Sequence, residues 1–445
     1  MFTMQIRDEI KQNNIDHNVF TWVKQDGINP ACIEKGNGSF IYDYDGKKIL
    51  DFTAGLISVN LGHGNQAIIN AITKQLQQIA FPAPVHATKV KGDLAKKLAE
   101  ILPGDLNKAY FTLCGASANE AAIKAARTYT GKNKILTRYR SFHGGSYAAM
   151  TLGGDPRKLP HDQDQIPGIV HFEIPSTYDG IYNENPVKQS EEALKQLERI
   201  INYESADNIA AIMLEGVSGT SGCYIYPKGY MQGVRGLCDK YNILLIIDEV
   251  MSGFCRTGKW FGFMHYDIIP DMVTMAKGIT SSYIPLGCCM ISDKIMSAFQ
   301  DKAFVLGATY SGHPVSCAAG LAAIQEYERL NIIDNVNNVS KHFDAKAKEL
   351  ISKHKCVGDY RSVGLLGCFE LVKNKDTKEP LVEYNAKDVN ITGKIIAKLK
   401  ELGMHSFVRW NHVFVGPPLT ITKQEIDLAV EALDETFTLA DTFCD

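Results

Sequence analysis

Two charged residues stand at the ends of apolar runs in this chain, and between them they suit a particular kind of chemistry. Asp271-Met272-Val273-Thr274-Met275-Ala276-Lys277-Gly278 begins as a buried strand and ends in a lysine followed by glycine. An ammonium group at the end of a buried strand is either charged and paired, or neutral and reactive. A neutral amine can attack a carbonyl carbon. Upstream, Ile243-Leu244-Leu245-Ile246-Ile247 is a continuous apolar run closed by Asp248-Glu249-Val250. Two parallel strands would bring Asp248 and Lys277 to one carboxyl edge, where open α/β sheets hold ligands. Alone, Lys277 would read as a structural ion-pair lysine; its partners change that reading. A carboxylate and an amine at such an edge suit pyridoxal 5'-phosphate (PLP), the lysine holding the aldehyde and the aspartate keeping the ring nitrogen protonated.

The elements around this edge follow from periodicity. Ile209 to Leu214 is another buried strand with an acid, Glu215, at its end. Helices and strands alternate from about 65 to 300, as in a mostly parallel, doubly wound sheet. We place a large domain over residues 61–325, a smaller α+β domain over 326–445, and an N-terminal segment, 1–60, joining the smaller one. Phe40 to Asp51 reads as two strands about an Asp45-Gly46 turn, and Ile68 to Ile79 as an amphipathic helix. Residues 155–190 hold many Pro, Asp, Asn and Gly and read as a long surface excursion.

Three further stretches could approach a ligand. Phe111 to Glu120 is a loop of small residues ahead of a helix whose inner side carries Ala121, Ala122, Ala125 and Ala126. Small residues at a helix start leave N–H groups open to an anion, and the helix dipole adds positive potential there. The competing reading is a plain capped helix with Ser117 as the cap. Phe142-His143-Gly144 offers an aromatic ring to stack on a flat heterocycle, against the alternative of a core-filling phenylalanine. Asp51 to Gly64 is a glycine-punctuated loop.

Composition excludes several classes. The 445 residues are 22% charged and 45% hydrophobic, as in an ordinary soluble protein. Lys and Arg number 47 against 50 Asp and Glu, a formal charge of −3, so no basic excess suggests nucleic acid. No apolar run approaches the roughly 18 residues of a membrane span, and the start lacks an apolar signal core, so a cytoplasmic protein is expected. The 11 cysteines are scattered through apolar segments and read as reduced thiols. There is no paired CxxC, HExxH or EF-hand spacing, so no metal site is expected. GxGxxG after a strand and GxxxxGK[ST] are both absent.

Together these motifs resemble the class III (omega) PLP-dependent aminotransferases of fold type I, from about residue 20 to the C-terminus. Asp248-Glu249-Val250-Met251-Ser252-Gly253-Phe254-Cys255-Arg256-Thr257-Gly258 resembles the family's cofactor-aspartate block. The likeness implies that Asp248 pairs with the pyridine nitrogen and Val250 packs on one ring face. Thr274 to Gly278 is similar to the lysine motif, followed by Pro285-Leu286-Gly287. Phe111 to Glu120 resembles the phosphate loop, which gives Gly115, Ala116 and Ser117 a phosphate-binding role through backbone N–H groups. Phe142-His143-Gly144 matches the ring-stacking motif with Phe in place of Tyr, and Glu215 falls among the cofactor-contacting positions. Ala308-Thr309-Tyr310-Ser311-Gly312-His313-Pro314 resembles a segment whose threonine reaches the phosphate of the neighbouring subunit's cofactor, which implies a homodimer with shared sites.

The same resemblance bears on substrate. Arg409, ahead of Pro417-Pro418-Leu419-Thr420, resembles the family's mobile arginine for an α-carboxylate; a surface arginine is the competing reading. The γ-aminobutyrate and ornithine branches carry a glutamate that neutralises this arginine, and here Thr220 falls at that position. Arg409 is therefore expected to lack a counter-charge, favouring donors whose far end is anionic. Ile57 stands where amine-accepting relatives often carry Trp, and Trp22 is expected to wall the pocket. Arg138 to Gly145 and Gly154 to Lys158 are most similar to the taurine:2-oxo acid aminotransferase branch. The implied reaction is ping-pong transfer from taurine, hypotaurine or β-alanine to pyruvate or 2-oxoglutarate. The alternatives are a 4-aminobutyrate or β-alanine transaminase, a PLP aminomutase or decarboxylase, and a PLP-fold binding protein without turnover.

Overall fold

A computed structural model describes residues 2–175, 178 and 180–444. A helix, Phe2–His17, precedes three strands, β1 (Ile33–Asn37), β2 (Phe40–Asp43) and β3 (Lys48–Asp51). β2 and β3 form the expected hairpin, Phe40 facing Leu50. Its turn requires Gly46, whose φ is +82°.

Among the described residues, the central sheet has seven strands: β4 (Lys108–Thr112), β5 (Lys134–Arg138), β6 (Ile169–Phe172), β7 (Ile209–Glu215), β8 (Leu244–Asp248), β9 (Met272–Met275) and β10 (Gly287–Ile291). Their order is β4-β10-β9-β8-β7-β5-β6. The run from β9 to β6 is parallel throughout, and β10 is antiparallel to both its neighbours. The sheet is thus mostly parallel, as expected. Every residue of β7, β8 and β9 is buried, because helices cover both faces of the sheet, so these strands read as unbroken apolar runs.

The helix Gly115–Thr130 lies on this sheet with Ala118, Ala121, Ala122, Ala125 and Ala126 buried. Their short side chains let its axis lie close to the strands. It stops at Gly131, whose φ of +69° ends the helix in a left-handed cap. The helix expected over Ile68–Ile79 spans Gln66–Gln78.

The stretch expected to be a surface excursion is more ordered than its composition suggests. It holds a 3-10 helix, Pro156–Asp164, and the edge strand β6, only four residues long and therefore hidden among turn-forming residues. Residues 176, 177 and 179 of that stretch lie outside the described residues.

Beyond the sheet come long helices, Ile332–Lys353 and Lys423–Asp441 among them. β11 (Val357–Val363), β12 (Leu366–Asn374), β13 (Glu379–Pro380), β14 (Met404–His405), β15 (Val408–Arg409) and β16 (His412–Val415) accompany them. β11-β12-β16-β15 form an antiparallel sheet with β13 on β12. β14 pairs in parallel with β3, which ties the N-terminal hairpin to this part of the chain. No helix among the described residues is long and apolar enough to cross a membrane.

Candidate active site

The sheet order makes the site. β8 lies between β7 and β9, with Glu215 beside Asp248 and Asp248 beside Thr274 in register. Three adjacent strands therefore deliver Glu215, Asp248 and, three residues past Thr274, Lys277 to one carboxyl edge. A cavity of about 410 Å³ opens there and all three line it, a size suited to a small ligand or cofactor.

Lys277 opens a short 3-10 turn with φ at +48°, a left-handed conformation that costs a non-glycine residue on the order of 1–2 kcal/mol. Packing enforces it. A Cβ on Gly278 would lie 2.6 Å from Asn60 Nδ2 and 2.8 Å from Phe254 Cβ, and the Tyr327 hydroxyl donates to the Gly278 carbonyl at 2.8 Å. Burial brings the Lys277 amine down to about 8 against the pull of Asp248 and Glu215, while the positive charges of Arg256 and Arg157 push the same way as burial. Among the described residues the Lys277 amine makes no ion pair and no hydrogen bond.

Asp248, 4% exposed, is fixed from three sides. Oδ2 accepts from Asn119 Nδ2 at 2.8 Å and lies 2.8 Å from His143 Nδ1, and Oδ1 accepts from the Val250 N–H at 2.9 Å. Asn119 is the residue that sequence reasoning passed over. It also donates to the His143 carbonyl at 2.7 Å and accepts from the Thr274 hydroxyl at 2.5 Å. A polar residue on the alanine face of the helix was the available signal.

Glu215 forms a close buried ion pair with Arg138 at the end of β5 and accepts from the Phe142 N–H at 3.5 Å. Burial pushes its carboxyl up, against the opposing charge of Arg138.

The loop before the helix Gly115–Thr130 lines the cavity through Cys114, Gly115 and Ala116. A Cβ on Gly115 would lie 2.8 Å from both methyls of Val250, so only glycine lets this backbone meet that wall. The cap differs from expectation. Cys114 is the N-cap, and Ser117 sits one turn later with Oγ accepting from the Cys114 N–H at 3.1 Å. The run of small residues hid which position leads. The Ser117 hydroxyl is thereby spent within the loop. Val250, Phe142 and His143 line the same cavity, and the Arg157 guanidinium lies 3.6 Å from the Phe142 ring centroid.

Trp22 reaches the cavity from the N-terminal segment, 65% exposed, with Arg157 5.5 Å from its ring. Ile57 does not reach it. That side chain is buried against Gly416 and Val217, with φ at +54°. Thr309 is exposed and is not among the residues lining the cavity of its own chain, and its loop is tied down by Ser311 Oγ donating to the Phe111 carbonyl at 2.7 Å.

Arg409 stands just outside the cavity lining, its guanidinium 4.0 Å from the Trp410 ring centroid. The expectation that it lacks a counter-charge is overturned. Nη1 and Nη2 donate to Asp155 Oδ2 and Oδ1 at 2.5 and 3.0 Å. Asp155, also 4% exposed, accepts in addition from Arg157 Nε at 2.8 Å, Nη2 at 3.2 Å and the Arg157 backbone N–H at 3.0 Å. Burial alone would raise its carboxyl, but Arg409 and Arg157 outweigh burial and hold it at about 2. Arg157 Nη2 also reaches Thr220 Oγ1 at 3.3 Å, where the relatives' glutamate was expected to be missed. The counter-charge is present, supplied from a position 254 residues away in sequence.

A family model described as aminotransferase class-III matches residues 22–437. Among curated relatives, the putrescine–pyruvate aminotransferase of Pseudomonas aeruginosa is 35% identical, with 95% of each chain covered. The taurine–pyruvate aminotransferase of Bilophila wadsworthia is 33% identical, with 92% of each covered. Among solved structures, the taurine:2-oxoglutarate aminotransferase of Bifidobacterium kashiwanohense, in complex with PLP and glutamate, matches with a TM-score of 0.95 at 38% identity over 98% of both chains.

Proposed function

The chain belongs to the class-III aminotransferase family, and from that premise we propose that it moves the amino group of a short ω-amino sulfonate or carboxylate to a 2-oxo acid. Taurine, hypotaurine and β-alanine are the donors proposed, and pyruvate or 2-oxoglutarate the acceptors.

Class-III aminotransferases use PLP, and the residues here fit that group. The Gly115 backbone has room only because no Cβ meets Val250, a carboxylate lies at the floor, and an amine without a partner faces the same space. When bound, PLP supplies an aldehyde to accept the amino group and a ring that withdraws electrons from the substrate carbon. Lys277 Nζ would hold the aldehyde and, when free, would carry a proton from the substrate carbon. With its amine at about 8, a useful fraction is neutral near neutral pH. Asp248 would hold a proton at the ring nitrogen, and Asn119 and His143 keep its oxygens in place for that. Val250 and Phe142 would wall the ring, and the N–H groups of Gly115, Ala116 and Ser117 would take the phosphate. Thr309, exposed and outside the lining of its own chain's cavity, would serve a second copy of the chain, so the working unit proposed is a homodimer.

The observation that carries the substrate reading is the pair of guanidiniums, Arg157 and Arg409, on one carboxylate beside the cavity. Two cations and one anion leave a net charge of +1. That field attracts a donor ending in sulfonate or carboxylate and repels a diamine, whose far end is cationic. Putrescine, the donor in the name of one relative, is disfavoured on this ground. The test is a donor panel of taurine, hypotaurine, β-alanine, γ-aminobutyrate and putrescine, each with pyruvate and with 2-oxoglutarate. The proposal expects turnover with the anionic ω-amino donors. Turnover confined to α-amino acids, diamines or uncharged amines would overturn it, and a strong preference for γ-aminobutyrate would favour the nearest alternative.

A further inference from the structure

Asp155 holds two arginines at once, and the way it does so bears on which oxo acid the site accepts. Its carboxylate receives five N–H groups, four from the two guanidiniums and one from the backbone of Arg157. Proline at the next position starts the 3-10 helix Pro156–Asp164, with Asp155 as its N-cap, so the carboxylate is aimed by the backbone as well as by its partners. Each arginine has a second support that does not involve Asp155. Arg157 lies over the Phe142 ring and reaches Thr220 Oγ1, and Arg409 lies on Trp410. Arg157 Nη1 and Arg409 Nε make no hydrogen bond among the described residues. The guanidiniums therefore remain in place, with donors to spare, when the carboxylate is asked to share them.

We propose that Asp155 is a specificity-determining residue that sets the charge offered to the oxo acid, keeping Arg157 and Arg409 as one unit of net charge +1 and yielding Arg409 to a dicarboxylate. The inference rests on the reading of this cavity as a transaminase site for anionic substrates. A monoanionic oxo acid is neutralised by the unit as it stands. A dianionic one needs both cations, and must compete with Asp155 for Arg409, whose two Nη groups are engaged there. The carboxylate thus lowers affinity for dicarboxylates relative to monocarboxylates. Asp155 acts through the arginines and is a positioning residue, not one that touches the reacting atoms.

Asp155→Asn keeps the shape and removes the charge, leaving the unit at +2. The preference for 2-oxoglutarate over pyruvate, read as the ratio of their kcat/KM values, should rise by roughly tenfold, the scale of one charge interaction partly shielded by solvent. The gain should come through tighter binding, read as a fall in KM with 2-oxoglutarate as acceptor that exceeds any change in kcat. Thr220→Glu, which places a carboxylate beside Arg157, should move the same ratio the other way. Binding of unreactive glutarate and propionate to the PLP-loaded enzyme, measured by calorimetry, gives a readout independent of any donor. Glutarate should tighten over propionate by about the same factor in Asp155→Asn and loosen in Thr220→Glu. If both acids weaken together in Asp155→Asn, or if the two variants shift the binding ratio in the same direction or by less than about twofold, Asp155 is only a clamp and the inference falls. A donor panel without ω-amino activity would refute the proposed substrate while leaving this binding comparison intact.

Discussion

Asn119 is the sharpest place to test how the site is held, since its side chain is 1% exposed and every hydrogen bond it makes ends on another site group. Replacing it with Ala removes the donor to Asp248 Oδ2, the donor to the His143 carbonyl and the acceptor for the Thr274 hydroxyl, which is itself fully buried. A hydrogen bond to a charged group contributes about 1.5–3 kcal/mol, and each buried polar group left without a partner costs about 1–3 kcal/mol. Water entering the vacated space recovers part of that sum, so the expected loss is about 3 kcal/mol. Urea unfolding of the cofactor-free protein, followed by circular dichroism, should show a lower midpoint with an unchanged slope. Asn119→Asp sharpens the case. Two carboxylates at this separation cannot both ionise, so the new one holds a proton and donates it to Asp248, leaving only the His143 carbonyl without its donor. Its pKa is then raised in the folded state, so the stability it retains is present at low pH and lost as pH rises through that pKa. The Asp variant should therefore match wild type more closely at pH 5 than at pH 8. A loss below about 1 kcal/mol for Asn119→Ala, or an Asp variant indifferent to pH, would refute the reasoning.

Three other outcomes follow from the same geometry. Lys277→Ala should abolish steady-state turnover, and a variant that still cycles near the wild-type rate would remove the lysine from the mechanism. Gly115→Ala puts a methyl 2.8 Å from both Val250 methyls. Neither backbone nor β-branched side chain yields cheaply, so cofactor retention through dialysis should drop by about tenfold or more; full occupancy would show that the wall can move. Asp155 is depressed from its ordinary 3.8 to about 2. A depressed carboxyl adds stability above its unfolded pKa and loses it as pH falls through the folded one, an effect of ~2 kcal/mol at neutral pH. The stability gap between wild type and Asp155→Asn, read from urea midpoints, should narrow from pH 6 to pH 3; a gap that holds constant would deny the ionic origin.

What could be read from the sequence divides along physical lines. Lys277 and Asp248 were legible because each ends an apolar run buried throughout, a local pattern that implies a sheet edge. The parallel order of the strands followed from alternation with helices. Long-range pairing left no such trace. Nothing near Arg409 announces Asp155, because their ion pair joins the strand β15 to a loop after the helix Tyr147–Leu152, and neither segment has a periodicity that refers to the other. Asn119 was hidden for a related reason: on an alanine-rich helix a single amide reads as a surface residue until the strands beneath it are known to end in Asp248 and Thr274. The Cys114 cap and the four-residue β6 failed for want of length, since neither a run of small residues nor so short a strand carries a phase.

The pairing of charges at the strand ends favours the proposed role of Lys277 over a structural one. Two carboxylates line the cavity with it, and each is satisfied by someone else. Glu215 has Arg138, and Asp248 has Asn119, His143 and the Val250 N–H. Had the lysine been structural, the least costly arrangement would have paired it with Asp248 or Glu215, since a buried cation left alone is expensive. Instead a second cation, Arg138, was brought in on β5 to neutralise Glu215, and neutral or imidazole donors were set against Asp248. Burial without a partner is what brings the Lys277 amine down to about 8. An amine kept free at the cost of a left-handed backbone and an added arginine fits the proposal that its partner comes from outside the chain.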